Sequence, residues 1–359
     1  MHADVTPQPA ASAAGDGALR VERLDDASVA RWDAFVQACP AATFFHLSGW
    51  TRTVEQVLGH RSHCLYVQDA SGVIQGVLPM SHVRSRLFGN SLVSVAFAVY
   101  GGIAAATAQA AAALDAAARA LAEELAVDWL ELRHVHARES DAAVNALYVT
   151  FRKPIPGDAE ANLKAIPRKQ RAMVRKGIDA GLTARIDADV DTFFAMYSES
   201  VRNLGTPVLP KRWYAALMQT FGAQCEVLSV MHEGTPISSV LSFYFRDEVL
   251  PFYGGGGAQA RALKANDFMY YALMNHAAAR GAKVFDYGRS KDGAGSYAFK
   301  KNWGFEPAPL HYEVHLVRAT DPPALNPNNP KFKLAIATWQ RLPLPITHLI
   351  GPMVAKYLA

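Results

Sequence analysis

Cysteine is scarce in this chain. Cys39, Cys64 and Cys225 are the three in 359 residues, widely separated and without Cys-x-x-Cys or metal-ligand spacing. That excludes a disulfide framework, suits a reducing compartment and leaves the three as small buried hydrophobes. Charge of one sign does not accumulate either. With 36 Lys and Arg against 32 Asp and Glu the net charge is +4, too mild by itself for a nucleic-acid binder, so DNA is not an expected partner. A local basic patch could still face an anionic substrate. No serine or cysteine stands in a recognisable nucleophile setting. His311 and His315 alternate on a predicted strand without partners at zinc spacing, and no metal site is expected. The opening MHADVTPQPAASAAGDGA lacks the cationic, apolar plan of a secretory signal and reads as a disordered leader over residues 1–18. Leu87 to Leu114 carries no charge at all. Its alanine content, Asn90, Gln109 and the Gly101-Gly102 break point to a buried strand, a glycine turn and an alanine-rich helix rather than a membrane span.

What is present is an architecture stated twice. The length favours about two domains. In the first half, strands Cys64 to Gln68 and Val73 to Val83 flank the turn Asp69-Ala70-Ser71-Gly72. The strand Leu92 to Tyr100, Gly101-Gly102, a helix from about Thr107 to Val127 and the strand Trp129 to Arg133 follow. In the second half, Glu226 to Met231 and Ile237 to Phe245 flank His232-Glu233-Gly234-Thr235. The strand Val249 to Tyr253, Gly254 to Gly257, a helix from about Ala265 to Arg280 and the strand Lys283 to Tyr287 follow. Tyr-Gly-Gly falls at the same joint in both. The period is too long for a solenoid and fits a duplicated α/β domain, an α+β pair of mixed sheets flanked by helices. The expected divisions are 19–152, 153–320 and a tail, 321–359, with Lys153 to Asp158 as the link.

The stretch FDYGRSKDGAGSYAFKKNWGF, Phe285 to Phe305, is where chemistry is expected. A strand end passes into a Gly/Ser-rich turn and then a short helix, delivering Asp286, Arg289, Ser290, Tyr297 and Lys300 close together. The glycines Gly254 to Gly257 read either as room for a ligand at a helix start or as a β-bulge where a sheet splays. A helix Glu160 to Ala180 places Arg168, Arg171 and Arg175 on one face, which is either a solvated basic face or anion-facing. Helices at about Asp191 to Leu204 and Lys211 to Phe221 follow, and Arg202, beside the Gly205-Thr206-Pro207 turn, is the member of that pair expected to reach a substrate.

The run Phe285 to Phe305, the basic PRKQRAMVRKGIDAGL, the early FFHLSGW with Leu58-Gly59, and the closing TWQRLPLPITHLIGP resemble the FemAB-like branch of the GNAT acyltransferase superfamily. More narrowly, they resemble the FemAB-related proteins associated with the PEP-CTERM/exosortase system and exopolysaccharide loci. The resemblance implies tandem GNAT folds and transfer of an acyl or aminoacyl group to an amine. It implies acyl-CoA or aminoacyl-tRNA as co-substrate and no tightly bound cofactor. The Fem Phe-Lys motif, whose lysine steadies charge during transfer, matches Phe299-Lys300. Where the Fem acceptor site has a lysine shortly after the N-terminal tryptophan, this chain has Thr51, Arg52 and Thr53. Its Arg-Gly-Pro run appears as Tyr100-Gly101-Gly102, and the coiled-coil insertion of several Fem enzymes has no counterpart.

Attack of an amine on an ester or thioester carbonyl builds negative charge on oxygen, which a fixed cation stabilises most in the transition state. Lys300 is the candidate cation. Arg289 is the candidate for a donor phosphate or carboxylate, and Ser290, Arg202, Tyr100, Tyr253, Arg171 and Arg175 are candidate substrate contacts. Asp286 would accept the amine's proton or simply cap its turn, and Tyr297 would protonate the leaving group. The expected partners are an acyl or aminoacyl donor, with tRNA among the candidate carriers, and an amine-bearing envelope or polysaccharide precursor. Alternatives are an acyl-CoA-dependent transferase acting on a small amine or amino sugar, and a non-catalytic adaptor of an envelope machine. The tail is expected to pack on the core, with contact to a membrane surface as the other reading. The expected location is cytoplasmic, with peripheral contact at the inner membrane following from that other reading.

Overall fold

The second half carries the larger sheet, and its order explains where a cleft can form. The structure, a computed structural model, describes residues 18–85, 88–145, 147–321 and 330–358. The expected leader therefore lies almost wholly outside the described residues. In the second half the order is Thr183–Asp187, Cys225–His232, Thr235–Phe245, Glu248–Gly256, Val284–Asp286, Tyr148–Pro154, Ser290–Lys291. The antiparallel members are joined by short turns such as His232 to Thr235, as the sequence pattern implies. Glu248–Gly256 and Val284–Asp286 run parallel, yet pair only through Glu248 with Val284 and Val249 with Phe285. Beyond that point the two strands part. The bulge lies at Phe252, because Leu241 pairs with Tyr253 while Ser242 pairs with Pro251.

Helices cover both faces of this sheet. A side chain at Gly254 would meet Tyr270 and Met269 of the helix Ala265–Ala279, while one at Gly255 would meet Ser200 of the helix Asp191–Asn203. Successive strand residues face opposite sides, so the two helices lie on opposite faces. Of the glycines read as ligand room or as a bulge, Gly254 to Gly256 continue the strand, Gly254 also lines the cleft between the halves, and Gly255 lets a helix approach closely. An added Cβ there would lie 2.5 Å from Ser200 Cβ. Gly255→Ala should destabilise the fold by about 1–3 kcal/mol, read as a lower urea midpoint at unchanged slope.

The first half forms two smaller sheets. One has the order Arg20–Arg23, Leu65–Gln68, Ile74–Leu78, Ala104–Ala105. The other has Arg61–Ser62, Met80–Ser85, Gly89–Ser94, Trp129–His134, His311–Leu316, Ala143–Asn145. The single strand expected over Val73 to Val83 divides at Pro79, which has no N–H to give to a ladder. The strand expected to run to Tyr100 stops at Ser94, since Val95 and Phe97 adopt positive φ of 55° and 63°. The helix Ala108–Glu124 is capped by Thr107, whose side chain accepts from the Ala110 amide, and buries Leu114, Ala118 and Leu121 on the sheet. One helix expected from Glu160 to Ala180 is two, Ala159–Ala165 and Arg168–Asp179, broken because Pro167 keeps the preceding Ile166 extended, with ψ at 132°.

The halves exchange strands. Tyr148–Pro154, which follows the first half in sequence, pairs antiparallel with Val284–Asp286 of the second, Arg152 opposite Asp286. His311–Leu316 leaves the second half and pairs antiparallel with Trp129–His134 of the first. The expected division between residues 152 and 153 thus cuts through a strand, and the one at 320 assigns His311–Leu316 to the sheet it does not join. An aromatic core seals the junction. Phe44 stacks on Phe243 at 4.4 Å between centroids, and Trp50 meets Trp213 edge-on at 5.6 Å. The FFHLSGW run is therefore the first half's share of the shared core. Two tail helices, Pro330–Arg341 and Leu344–Ala355, pack on Asp191–Asn203, the second with His348 5.0 Å from the Phe194 ring and with Thr347, Gly351 and Ala355 buried.

Candidate active site

Where Glu248–Gly256 and Val284–Asp286 part, a cleft of about 480 Å³ opens between the halves. Its walls include Tyr253, Tyr287, Arg289 and Lys300 from the second half, Phe97 and Arg133 from the first, and Leu358 from the tail. The equivalent joint of the first half is closed. There the Gly101 and Gly102 amides both donate to the Arg133 carbonyl at 3.0 Å, so the strand after the glycines is tied back instead of parting.

Lys300 is buried on the cleft side of the helix Gly295–Asn302. Its Nζ donates to the carbonyl oxygens of Gly288 at 3.0 Å and Arg289 at 2.9 Å. An ammonium has three N–H bonds, and among the described residues no protein acceptor takes the third. Burial lowers its pKa to about 8, with Asp286 pulling it up and Arg289 pushing it down. Lys300 is thus a cation at neutral pH whose charge is held close to its titration point.

Arg289 is fixed by both exchanged strands. Its guanidinium lies over the Tyr148 ring at 4.4 Å and donates to the Tyr312 hydroxyl at 3.3 Å, while that hydroxyl donates to the Val99 carbonyl at 2.5 Å. It lines the cleft with its planar fork held on an aromatic face, a geometry suited to phosphate or carboxylate.

Asp286 is fully enclosed and bridges the halves. Its Oδ1 accepts from the Tyr100 hydroxyl at 2.9 Å and the Gly288 amide at 2.7 Å, and Arg152 Nε lies 3.4 Å from Oδ2. Burial raises its pKa, and Arg152, the Gly288 amide and Tyr100 oppose that rise in this order. Arg152 is also paired with Glu248, and Tyr100 with Thr150. Asp286 caps its own turn through the Gly288 amide and also lines the cleft. Tyr100 is separate from the main cleft and faces a smaller cavity of about 80 Å³ on the other side of Asp286.

The remaining candidates divide. Tyr253 lines the cleft and accepts from the Trp213 indole at 3.2 Å. Ser290 is buried, and its hydroxyl donates to Ser296, a cleft residue, at 3.2 Å. Tyr297 is not among the cleft residues. It packs edge-on against Phe151 at 5.3 Å, which corrects its expected access to a leaving group. Arg202 does not line the cleft either, and donates to the Leu342 carbonyl at 3.1 Å, holding the tail. Arg171 is likewise corrected, for its guanidinium closes off the preceding helix by donating to the carbonyls of Lys164 at 2.9 Å and Ile166 at 3.0 Å. Arg175 is exposed and away from the cleft.

Three cleft residues escaped the sequence reading. Arg133 is buried, donates to the Ala98 carbonyl at 2.7 Å and to Glu131 at 2.6 Å, and so holds the positive-φ loop that forms one wall. Tyr287 lines the cleft with a buried hydroxyl that has no partner among the described residues. Tyr270 stands beside it, ring centroids 4.9 Å apart. Tyr287 was visible inside the Phe285 to Phe305 run, whereas Arg133 carried no local signal.

Two α/β halves, one splayed and one sealed, place a buried ammonium at the open joint, where a transfer site can be accommodated. Residues 164–301 match the family described as an acetyltransferase (GNAT) domain, which includes Asp286, Arg289 and Lys300. No curated protein sequence matches the chain. Among solved structures, FemX is similar to it at 15% identity and a TM-score of 0.65, over 83% of this chain and 98% of that one. The C-terminal domain of a putative lysylphosphatidylglycerol synthetase from Agrobacterium fabrum is similar at 13% identity and a TM-score of 0.55, over 80% and 91%. A tandem GNAT protein from the clavulanic acid biosynthesis pathway is similar at 13% identity and a TM-score of 0.53, over 85% and 100%. These likenesses establish the duplicated GNAT-like fold.

Proposed function

We propose that the chain transfers an acyl or aminoacyl group from a carrier to the amine of an envelope or exopolysaccharide precursor, in a PEP-CTERM/exosortase-linked pathway. The observation that carries the transfer reading is Lys300, a buried ammonium on the cleft wall with one donor unclaimed among the described residues. The amine attacks the donor carbonyl, the new C–N bond forms, and the ester or thioester bond breaks, the carrier leaving as its alcohol or thiol with a proton taken from solvent. Negative charge on the carbonyl oxygen would meet Lys300, Arg289 would hold the donor's anionic group, and the amine's proton would leave toward Asp286 or solvent. The envelope and PEP-CTERM assignments rest on the sequence resemblance. Similarity to FemX supports aminoacyl transfer, and the acetyltransferase domain match favours acyl-CoA as the second reading.

Incubating the protein with labelled acetyl-CoA or with charged tRNA, each with amino sugars and lipid-linked amino sugars as acceptors, tests the proposal. Label in an amide product from either donor supports transfer and names the carrier. No label from either donor, with folded protein, overturns it.

A further inference from the structure

The helix Leu344–Ala355 is apolar on both sides. Its inner face, Thr347, Gly351 and Ala355, is built of small residues, and a side chain at Gly351 would sit 3.1 Å from the Val208 carbonyl, so this face is pressed onto the body. At the i, i+3, i+7 spacing of the opposite face stand Ile346, Leu349 and Met353, exposed by 44%, 74% and 66%. Nothing within Leu344–Ala355 is acidic or basic apart from His348. Large side chains scattered singly over a surface need no explanation, but a charge-free helix directing its bulk outward does. Leu334 on the neighbouring helix is 78% exposed, and Leu204, at the end of the helix on which these two pack, is 70% exposed.

Charge on the same segment has one sign. Residues 330–359 contain Lys331, Lys333, Arg341 and Lys356 and no Asp or Glu, a net of +4, equal to that of the whole chain (36 − 32). An outward apolar stripe on a segment whose charge is all of one sign matches an anionic bilayer, which takes apolar side chains below its headgroups and cations among them. A second copy of the chain would bring the same cations against these, and like charges repel across a two-fold contact. The tail borders the cleft, since Ala355 at the end of this helix and Leu358 beyond it are among its walls. Among the described residues no helix is long and apolar enough to cross a membrane, so the contact is with the surface.

We infer that the tail helices seat the protein on an anionic lipid surface, with the cleft mouth facing the headgroup layer so that the acceptor amine is presented by a lipid-anchored molecule. The orientation of the acceptor rests on the acyl-transfer reading, whereas the lipid contact does not. Packing on the core and contact with lipid would then use opposite faces of a single helix.

The test is flotation of the full chain with vesicles of phosphatidylcholine alone and with about a third phosphatidylglycerol. Binding to the anionic vesicles is expected, weaker on phosphatidylcholine alone. The double variant Leu349→Ser/Met353→Ser changes exposed side chains and should lose about tenfold or more of that binding. Transfer to a soluble amine should be unaffected in it, because neither residue lines the cleft. Lys300→Ala should float like the parent while losing transfer, which separates failure of the lipid contact from failure of the enzyme reading. Absence of flotation in the parent chain, equal flotation of the double variant, or a dimer dissolved by the double variant without any vesicle binding would each overturn the inference.

Discussion

Lys300→Ala should lower the turnover of acyl transfer by about a hundred- to a thousandfold, the range lost when a preorganised donor to a developing oxyanion is removed. The structural reason is that the ammonium is already desolvated and already anchored on two carbonyl oxygens, so no reorganisation is needed as charge grows on the substrate. The deletion also leaves the Gly288 and Arg289 carbonyls without that donor, at a cost of about 1–3 kcal/mol, so melting should be followed beside activity. The pH profile separates charge from packing. With a pKa near 8, Lys300 is protonated below that value, and transfer should fall as pH rises through it. Stability should move the other way. A lysine titrating near 8 in the fold and about 10.4 when unfolded binds its proton more tightly in the unfolded chain. The fold is then stabilised as pH rises between those values, so a loss of activity at pH 9 cannot be ascribed to unfolding. Lys300→Arg, which keeps its charge throughout, should remove the alkaline fall even where its rate is lower. If Lys300→Ala transfers as fast as the parent, the lysine has no catalytic part.

Much of this was legible in local sequence. The repeated order of strand, turn, strand, strand, glycine joint, helix and strand foretold two similar halves, because each step is written in short-range periodicity and turn residues. The Phe285 to Phe305 run likewise foretold that Asp286, Arg289 and Lys300 would share a cleft. The exchange of strands was not legible. Arg152 pairing with Asp286 joins residues far apart in the chain, and an apolar strand carries no mark of which sheet it will enter. The same limit hid Tyr148 and Tyr312, which read as ordinary strand aromatics and become the platform for Arg289. Tyr297 failed for a simpler reason. On the helix Gly295–Asn302, Ser296 and Lys300 lie four residues apart and share the cleft face, while Tyr297 falls a quarter-turn round, under Lys301 at 6.0 Å. The basic arginines were read correctly as helical neighbours, but Arg171 is used by its own backbone.

Asp286→Ala should produce the largest loss of stability, about 3–5 kcal/mol, because it removes one member of a buried charged network and leaves the others uncompensated. Tyr100 and the Gly288 amide would lose their acceptor, Arg152 would keep Glu248 alone, and Lys300 would lose the carboxylate that raises its pKa. Two of these groups, Tyr100 and Arg152, come from the first half and its exchanged strand, so the loss loosens the junction as well as the cleft. Asp286→Asn distinguishes hydrogen bonding from charge. The amide oxygen can still accept from Tyr100 and Gly288, and the loss of stability should be smaller. The alkaline fall in activity should nevertheless move below the parent's, since Lys300 has lost its counter-charge. The pH dependence of stability supplies the sign. Burial raises the Asp286 pKa, so the folded chain holds this proton more tightly than the unfolded one. Its contribution therefore favours folding at pH below the ordinary carboxylate value and declines as pH rises from there through the raised one. In Asp286→Asn that slope should vanish, while Tyr100→Phe, which removes one donor and no charge, should keep it and lose only about 1–3 kcal/mol. Urea unfolding of the four proteins across acid to neutral pH reads all of these differences. An Asp286→Asn chain with the parent's acid slope would show that the carboxylate is not the titrating group, and would remove the physical basis for treating it as the latch between the halves.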